Sequence, residues 1–158
     1  MKIAIVGAAY TGRAAALYFR NKGHSVSVST TRQERTAELA EVANHIVVMK
    51  GSDSAAMENL IRDADVVLLS MAGGLGVKDG KPYMDPVAYR DSYVGTADGL
   101  IAALPAAPKL RQIIFCSSMN AYGDANGVNP VNENTPANAA SLAAQVFIEA
   151  EQKLSALE

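Results

Sequence analysis

Short apolar runs of strand length alternate with helix-like segments along this chain, and the alternation restricts its fold more than any other feature. Runs rich in Val, Ile or Leu predict five strands, at Lys2–Val6, Ser25–Ser29, His45–Met49, Asp65–Met71 and Gln112–Cys116. Segments with helical spacing or composition lie at Thr11–Lys22, Arg32–Ala43, Ser54–Asp63, Asp85–Leu104 and Ala139–Leu157. Strands separated by helices pair in parallel through right-handed crossovers, so the sequence predicts a layered α/β domain.

The predicted fold class is a Rossmann-type doubly wound parallel sheet, a three-layer αβα sandwich with strand order 3-2-1-4-5. With 158 residues, 49% of them hydrophobic, the chain can bury one core, so we expect residues 1–158 to form one domain. A formal net charge of −2 and the lack of a Lys/Arg cluster argue against nucleic acid and membrane surfaces as partners. The single cysteine, Cys116, lies in an apolar run and predicts a buried thiol. Lone thiols are typical of reducing compartments and no apolar run could span a bilayer, so we expect a soluble cytoplasmic protein.

Two stretches are long for loops in a compact domain, Gly73–Met84 after the fourth strand and Met119–Asn138 after the fifth. Both leave the carboxyl ends of strands, the edge at which open α/β sheets bind ligands. We therefore expect both stretches to line a site, with disorder as the alternative. At the same edge we assign Ala72, Gly73 and Ser117 to cofactor binding.

A glycine turn follows the first strand, where a dinucleotide-binding fold holds phosphate. Gly7 allows the tight turn, Gly12 lets helix and strand approach closely, and the N–H groups of the helix start would face a pyrophosphate. Ala9 stands where G-x-G-x-x-G has its middle glycine, and its methyl group limits how closely phosphates can approach. Together with Tyr10 and Thr11, these residues form the predicted phosphate site. A purely structural strand-to-helix turn is the alternative.

The same turn also matches G-x-x-x-x-G, the skeleton of a nucleoside triphosphate P-loop. Arg13 and Ala14 stand where that motif has Lys and Ser or Thr. They provide no compact ammonium for the β- and γ-phosphates and no hydroxyl for magnesium, so the triphosphate interpretation fails. We assign no metal site, because His24 and His45 begin strands at the opposite edge and are interpreted as structural.

The end of the second strand bears on which dinucleotide is bound. An acidic residue there would accept hydrogen bonds from the adenosine ribose of NAD, and the sequence Ser-Thr-Thr-Arg at 29–32 contains none. Its hydroxyls and guanidinium suit a 2′-phosphate instead. We therefore predict that Thr30, Thr31 and Arg32 favour NADP(H), with NAD(H) as the other cofactor. The alternative role for Arg32 is the start of a solvated helix.

From Asp53 onward the chain resembles the extended short-chain dehydrogenase/reductase family, also called NAD-dependent epimerase/dehydratases. Residues 112–124 resemble its strand-and-loop pattern S-S-x-x-x-Y-G-D, and residues 133–136 resemble the E-x-T-P that follows. Residues 89–96 resemble the family's N-V-x-G-T segment, with Ser92 in place of the asparagine. Asp53 occupies the position of a family acidic residue near the adenine ring, and it is also an ordinary helix cap.

The resemblance implies roles for individual side chains. The family's substrate-binding serine or threonine, four residues before the loop tyrosine, maps onto Ser118. The family's catalytic tyrosine, and the lysine four positions later that lowers its pKa, have no counterpart. Aligning Glu149 with the family's glutamate puts Ser141 and Gln145 at those positions, so the chain resembles the atypical branch. Tyr122 is then either a substitute acid or a packing residue.

Two functions remain open. The retained loop motif favours an NAD(P)-binding oxidoreductase or epimerase-like protein acting on an unknown carbonyl or sugar-nucleotide substrate. The missing Tyr and Lys favour a non-catalytic dinucleotide-binding module, such as a redox sensor or partner-binding domain. Resembling proteins continue into a C-terminal substrate domain, which we expect to be absent from this chain. The exposed edge of the fifth strand would then invite pairing, with a homodimer as one alternative.

Overall fold

A computed structural model describes residues 1–123 and 130–157, and five parallel strands form its central sheet. The strands of the described residues are β1 (Lys2–Val6), β2 (Ser25–Thr30), β3 (His45–Val48), β4 (Val66–Leu69), β5 (Leu75–Lys78), β6 (Lys81–Met84) and β7 (Gln112–Phe115). The sheet has the order β3-β2-β1-β4-β7. Since β7 is the strand predicted as the fifth, the predicted order 3-2-1-4-5 and the Rossmann-type fold are confirmed.

Helices cover both faces of this sheet. They are α1 (Tyr10–Asn21), α2 (Thr36–Leu39), α3 (Ser54–Ile61), α4 (Pro86–Arg90), α5 (Thr96–Ala103) and α6 (Leu142–Ser155). The helix predicted over 85–104 is one helical segment in which a π-helical turn, Asp91–Gly95, joins α4 to α5. Asp85 caps that segment by accepting hydrogen bonds from the amides of Val87 and Ala88, and Pro86 occupies the first helical position.

Two helix predictions were wrong in detail. The segment 32–43 forms a 3₁₀ turn and the single turn of α2, because packing buries only its last apolar residues, Leu39, Val42 and Ala43. The spacing of the last helix also predicts a buried stripe of Leu142, Val146, Ala150, Leu154 and Leu157, and the two end positions are wrong, since Leu142 and Leu157 are exposed. The buried face of α6 is centred instead on Phe147, whose ring packs against an aromatic cluster from α4 and the π-helical turn.

The core has two apolar layers, one on each side of the sheet. Along β1, Ile3 and Ile5 face the layer under α1 and α2, whereas Ala4 and Val6 face the layer under α3 and α5. This strand is buried on both faces, which explains its continuous apolar sequence. In residues 1–123 and 130–157, no helix has the length and apolar character needed to cross a membrane.

Residues 73–84, predicted as a loop, contain an antiparallel hairpin of β5 and β6. Asp79 and Gly80 turn the chain with φ angles of 52° and 73°, as a two-residue type I′ turn requires. An Asp-Gly pair between strand-length segments is the signal that the loop prediction did not use. Met84 is the hairpin's least exposed residue, and the others are exposed, so the hairpin projects from the domain.

Candidate functional site

Two adjoining clefts lie at the carboxyl edge of the sheet. The first, which we call the arginine cleft, has a volume of ≈ 240 Å³, and the second, the serine cleft, ≈ 370 Å³. The clefts share Ala9, Met71 and Ala72 and therefore form one groove across the strand ends. The arginine cleft is lined by Gly7, Thr30, Thr31, Arg32 and Arg35, among others, and the serine cleft by Tyr10, Thr11, Ser117 and Ser118, among others.

The glycine turn is anchored by hydrogen bonds that use every polar backbone atom of its first two residues. The Gly7 amide donates to Ser29 Oγ at 3.0 Å, and Ser70 Oγ donates to the Gly7 carbonyl at 2.9 Å. The Ala8 amide donates to the Ser29 carbonyl at 2.9 Å, and Arg35 Nη1 donates to the Ala8 carbonyl at 2.7 Å. The turn is therefore held in place before any ligand binds.

The amides that follow the turn have a different environment. Ala9 is the N-cap of α1, and no described side chain caps this helix. The first turn of α1 also contains no acidic side chain, and the side chain of Tyr10 is 94% exposed. The N–H groups of a helix's first turn have no partner within the helix, and they carry the positive end of its dipole. The groove therefore presents open donors suited to an anion.

Both glycines of the turn are required by geometry. Gly7 has φ +89°, and a Cβ there would lie 2.6 Å from the Cα of Met71. A Cβ at Gly12 would lie 2.2 Å from the Gly7 carbonyl oxygen and 2.5 Å from Ser70 Oγ. Any side chain at either position would displace the strand end or the helix start. The cradle thus fits a diphosphate on local geometry, with Ala9 exposed at its rim.

The arginine cleft has a second guanidinium that the sequence analysis did not single out. The Arg35 side chain, 15% exposed, donates to both carboxylate oxygens of Glu38 as well as to Ala8. Arg13 Nε also lies 2.9 Å from Glu38 Oε1, as an ion pair without hydrogen-bond alignment. The hydrogen bond from Arg35, together with these positive charges, lowers the pKa of Glu38. Arg32, in contrast, is exposed at the mouth of the cleft.

Close packing of Gly51 against Thr96 forms part of the wall of this cleft. A Cβ at Gly51 would lie 1.9 Å from Thr96 Oγ1, so the loop after β3 lies directly against α5. Thr96 is buried and donates to the Ser92 carbonyl at 2.7 Å, and Ser92 lines the cleft beside it. Asp53 is not among the lining residues, because its carboxylate caps α3 by accepting from the Ala56 amide at 3.0 Å.

The serine cleft combines hydroxyl groups with an aromatic wall. Ser118 lines it and caps the 3₁₀ turn Met119–Tyr122 by accepting from the Asn120 amide at 3.2 Å. The Oγ of Ser117 donates to the carboxylate of Glu151 on α6. The wall consists of Tyr89, Tyr93 and Phe147, with ring centroids 4.5 to 6.2 Å apart.

Burial raises the pKa of Tyr93 to about 12 and also raises the pKa of Tyr89. A tyrosine hydroxyl is protonated at neutral pH even at its ordinary pKa, and these shifts move both groups further from the range of a general base.

Two other predicted positions, Tyr122 and Gly73, do not line the groove. Tyr122 is half-buried and does not line the serine cleft, and Gly73 packs against Ser92 behind Ala72. Cys116 is half-buried, which corrects the expectation of a buried thiol: the residue follows an edge strand and lines the serine cleft. The aspartate of the S-S-x-x-x-Y-G-D pattern lies at 124, outside the described residues, as does the rest of 124–129.

The helix that follows has no proton shuttle at the positions expected from the alignment. Ser141 is the N-cap of α6 and accepts from the Ala144 amide at 3.1 Å. Gln145 Nε2 donates to the Ala139 carbonyl at 3.1 Å. Both side chains stabilise the helix start, and neither lines the serine cleft.

Comparison with known families gives a match along most of the chain. The model of the NAD dependent epimerase/dehydratase family matches residues 3–146, almost the whole chain. The chain belongs to this family. The parallel sheet, the glycine turn and the serine-containing loop at its carboxyl edge are thus features of one epimerase/dehydratase-family domain. No curated protein sequence matches the chain.

Solved structures share the fold at low identity. A short-chain dehydrogenase/reductase superfamily protein from Agrobacterium tumefaciens with bound NAD is 24% identical, with a TM-score of 0.73 over 98% of this chain and 44% of that one. UDP-glucose 4-epimerase from Bifidobacterium longum, in complex with NAD+ and UDP, is 19% identical, with a TM-score of 0.78 over 99% and 49%. The Bordetella bronchiseptica enzyme WbmH, in complex with NAD+, is 20% identical, with a TM-score of 0.76 over 98% and 52%. The chain spans about half the length of these proteins.

Proposed function

We propose that this chain is the dinucleotide-binding part of a nicotinamide-dependent oxidoreductase or epimerase-like protein. The observation that carries the proposal is the uncapped start of α1 beside a glycine turn whose own polar atoms are already hydrogen-bonded. Such a helix start binds phosphate through backbone N–H groups. Family membership and the NAD-bound structural neighbours support the same ligand.

A bound nicotinamide would supply or accept the hydride of the reaction. The protein's own contribution is to orient the reacting groups beside it. We assign Ser118, on the loop after β7, to hydrogen-bond the substrate oxygen, because this residue lines the serine cleft together with Ala9, Tyr10 and Thr11.

We further propose a preference for NADP(H). Arg32 is exposed at the cleft mouth beside Thr30 and Thr31, and the Ser29–Arg32 segment contains no carboxylate to bind the adenosine ribose. Arg35 lies deeper in the same cleft, where its guanidinium is already paired with Glu38, so Arg32 is the charge assigned to the phosphate. A 2′-phosphate would find charge-assisted donors here, whereas the ribose of NAD would lack its usual acceptor.

A non-catalytic dinucleotide-binding module is the second candidate. It is favoured by the positions of Ser141, which caps α6, and Gln145, which donates to the Ala139 carbonyl, because neither side chain lines the serine cleft. The two candidates share the cofactor site and differ only in turnover.

The test begins with fluorescence titrations of the protein with NADPH and NADH. We expect saturable binding, tighter for NADPH, and loss of binding in Gly12→Ala, whose added methyl group would push against the Gly7 carbonyl. Gly76→Ala is the matched control, since a Cβ there meets nothing within 4 Å. Wild-type behaviour of Gly12→Ala, or no binding at saturating cofactor, would contradict the proposal.

Turnover then separates the two candidates. NADPH consumption is measured with a panel of carbonyl compounds and nucleotide sugars, with Ser118→Ala as the comparison variant. Activity that falls in Ser118→Ala supports the enzyme. Cofactor binding without any turnover supports the module.

A further inference from the structure

Two adjacent serines line the serine cleft, and their hydroxyl groups are used in opposite ways. Ser117 Oγ donates to the carboxylate of Glu151 on α6. Ser118 Oγ accepts from the Asn120 amide at 3.2 Å. A serine hydroxyl has one proton to donate and two lone pairs that accept. Ser118 therefore keeps its proton for a ligand, whereas Ser117 can offer a ligand only a lone pair.

The carboxylate of Glu151 fixes the direction of the Ser117 hydrogen bond, because a carboxylate only accepts. The packing of α6 holds Glu151 beside the end of β7. Phe147, one turn earlier on the same helix, is buried against the aromatic cluster. Glu149 and Lys153, on either side of Glu151 in sequence, form ion pairs with the helical segment that contains α4 and α5. These contacts restrict the rotation of α6, so Ser117 has a fixed partner.

The position of Ser117 in the groove indicates which part of a dinucleotide it would meet. In the proposed mode of binding, the arginine cleft takes the adenosine 2′-phosphate and the start of α1 takes the diphosphate. The lining of the serine cleft continues from Tyr10 and Thr11, at that helix start, to Ser117 at the end of β7. Dinucleotides lie across the carboxyl edge of such a sheet. The serine cleft is therefore the part of the groove left for the nicotinamide.

We infer that Ser117 accepts a hydrogen bond from the carboxamide N–H of the nicotinamide, and that Glu151 is the positioning residue that makes Ser117 an acceptor. The inference rests on the proposed function, since it assigns residues to one end of the same cofactor. A carboxamide NH2 group has two protons to donate. It would meet an oxygen whose own proton is already bound to Glu151. Recognition thus depends on the direction of the hydrogen bond as well as on its presence.

Calorimetric titration with three probes tests this assignment. They are NADP+, its 3-acetylpyridine analogue, in which a methyl group replaces the carboxamide NH2, and adenosine 2′,5′-bisphosphate, which lacks the nicotinamide half. We expect the wild type to bind NADP+ about fivefold more tightly than the analogue, the effect of one hydrogen bond between uncharged groups.

Variants of the two residues should remove this preference. Ser117→Ala removes the acceptor and should bring the ratio of the two Kd values close to one. Glu151→Gln should do the same, because its amide can donate to Ser117 and release the serine proton toward the ligand carbonyl, which both probes share. Glu149→Gln is the matched control, since it lies on the same helix and loses only its pair with Arg90. It should keep the wild-type ratio, because a purely structural effect weakens both probes equally.

Adenosine 2′,5′-bisphosphate separates this inference from the proposed function. Because this probe has no carboxamide, its Kd should be the same in the wild type and all three variants. NADP+ that binds the wild type no more tightly than the analogue would overturn the inference, as would a wild-type ratio retained in Ser117→Ala or Glu151→Gln. In these cases the binding of the bisphosphate would still support the cofactor site. Failure of all three probes to bind would contradict the proposed function and this inference with it.

Discussion

Arg35 connects the glycine turn to α2 in the arginine cleft through a single side chain. Its guanidinium donates to the Ala8 carbonyl of the glycine turn and to Glu38 on α2, which itself pairs with Arg13 on α1. A planar guanidinium with several donors can hold these groups together, whereas a lysine could not. At the scale of the residue, the position of the turn thus depends on a charged group 27 positions away in sequence.

Gly7→Ala tests the conformation of the turn. We expect the free energy of unfolding to fall by about 1–3 kcal/mol, because φ is +89° and the added methyl group would meet the Met71 backbone. Urea unfolding followed by circular dichroism measures the change. Gly76→Ala, in open space, should change stability by much less, and equal effects would contradict this account.

Arg32→Ala tests the choice of cofactor. We expect the Kd for NADPH to rise about tenfold or more, since a hydrogen bond to a charged group contributes about 1.5–3 kcal/mol. NADH binding should change little, because NADH lacks the 2′-phosphate. Arg62→Ala, at the opposite edge of the sheet, is the control. An equal loss of NADH affinity would assign Arg32 a general role instead.

At the scale of elements, α6 is attached to the π-helical region by packing and by ion pairs. Phe147 packs against Tyr93 in a tilted arrangement, with ring centroids 4.5 Å apart. Two ion pairs add to this packing: Arg90 with Glu149, and Lys153 with Asp98 at 2.7 Å. These contacts place α6 behind the serine cleft and bring Glu151 to Ser117. The π-helical turn supplies Ser92 to one cleft and Tyr93 to the other.

The Arg90–Glu149 pair predicts a pH dependence of stability. The hydrogen bonds from Arg90 hold the pKa of Glu149 below its ordinary value of 4.5. A carboxyl group whose pKa is lower in the folded state stabilises that state at pH values above the unfolded-state pKa. This contribution is lost as the pH falls through the folded-state pKa. Glu149→Gln should therefore destabilise by about 0.2–1 kcal/mol at pH 7, as partly exposed pairs do, and by less at acid pH.

Thermal unfolding between neutral pH and pH 3 measures this difference. Glu34→Gln, an exposed carboxyl on the 3₁₀ turn before α2, is the control and should show no comparable change. A difference for Glu149→Gln that grows on acidification would contradict the assigned ion pair.

The hairpin of β5 and β6 should be the least protected part of the described sheet structure. Its residues are exposed, with Met84 only partly so, whereas Ile3–Val6 of β1 are buried on both faces. Local opening of the hairpin would expose little apolar surface, so its free-energy cost is low. Hydrogen–deuterium exchange should show fast exchange over 75–84 and slow exchange over 2–6. Equal protection would show that the hairpin packs against the domain.

At the scale of the whole molecule, binding at the carboxyl edge would connect elements from both halves of the sheet. The two clefts draw residues from the segments after β1, β2, β3, β4 and β7. A ligand bound across them stabilises the folded state by mass action, independently of any chemistry.

NADPH should therefore raise the unfolding temperature. At about 100 times its Kd the stabilisation is about 2.7 kcal/mol, which corresponds to an increase of about 5–10 °C for a chain of this size. Differential scanning calorimetry measures it, with Gly12→Ala as the variant that should lose the increase. An equal increase in both proteins would place the binding elsewhere.

Local sequence was sufficient to predict the sheet order, the glycine turn and the edge that carries the site. Strand and helix periodicities are local, and a strand followed by a helix crosses over in one hand, so the pattern of runs determined the topology. Gly7 and Gly12 could be identified from their spacing between a strand and a helix, although the contacts that require them include Met71 and Ser70 of the segment after β4.

Other parts of the site depended on contacts between distant segments. Arg35 reaches Ala8, Thr96 lies against Gly51, and the hairpin brings Leu75 to the lining of the serine cleft. Tyr122, although it belongs to a recognisable motif, lies outside the cleft that Ser118 lines. Such contacts depend on side-chain direction and on packing between elements. Neither is encoded in the spacing of residues along one segment. The sequence by itself therefore determined the architecture and the position of the glycine turn, and only tertiary packing decided which side chains line the groove.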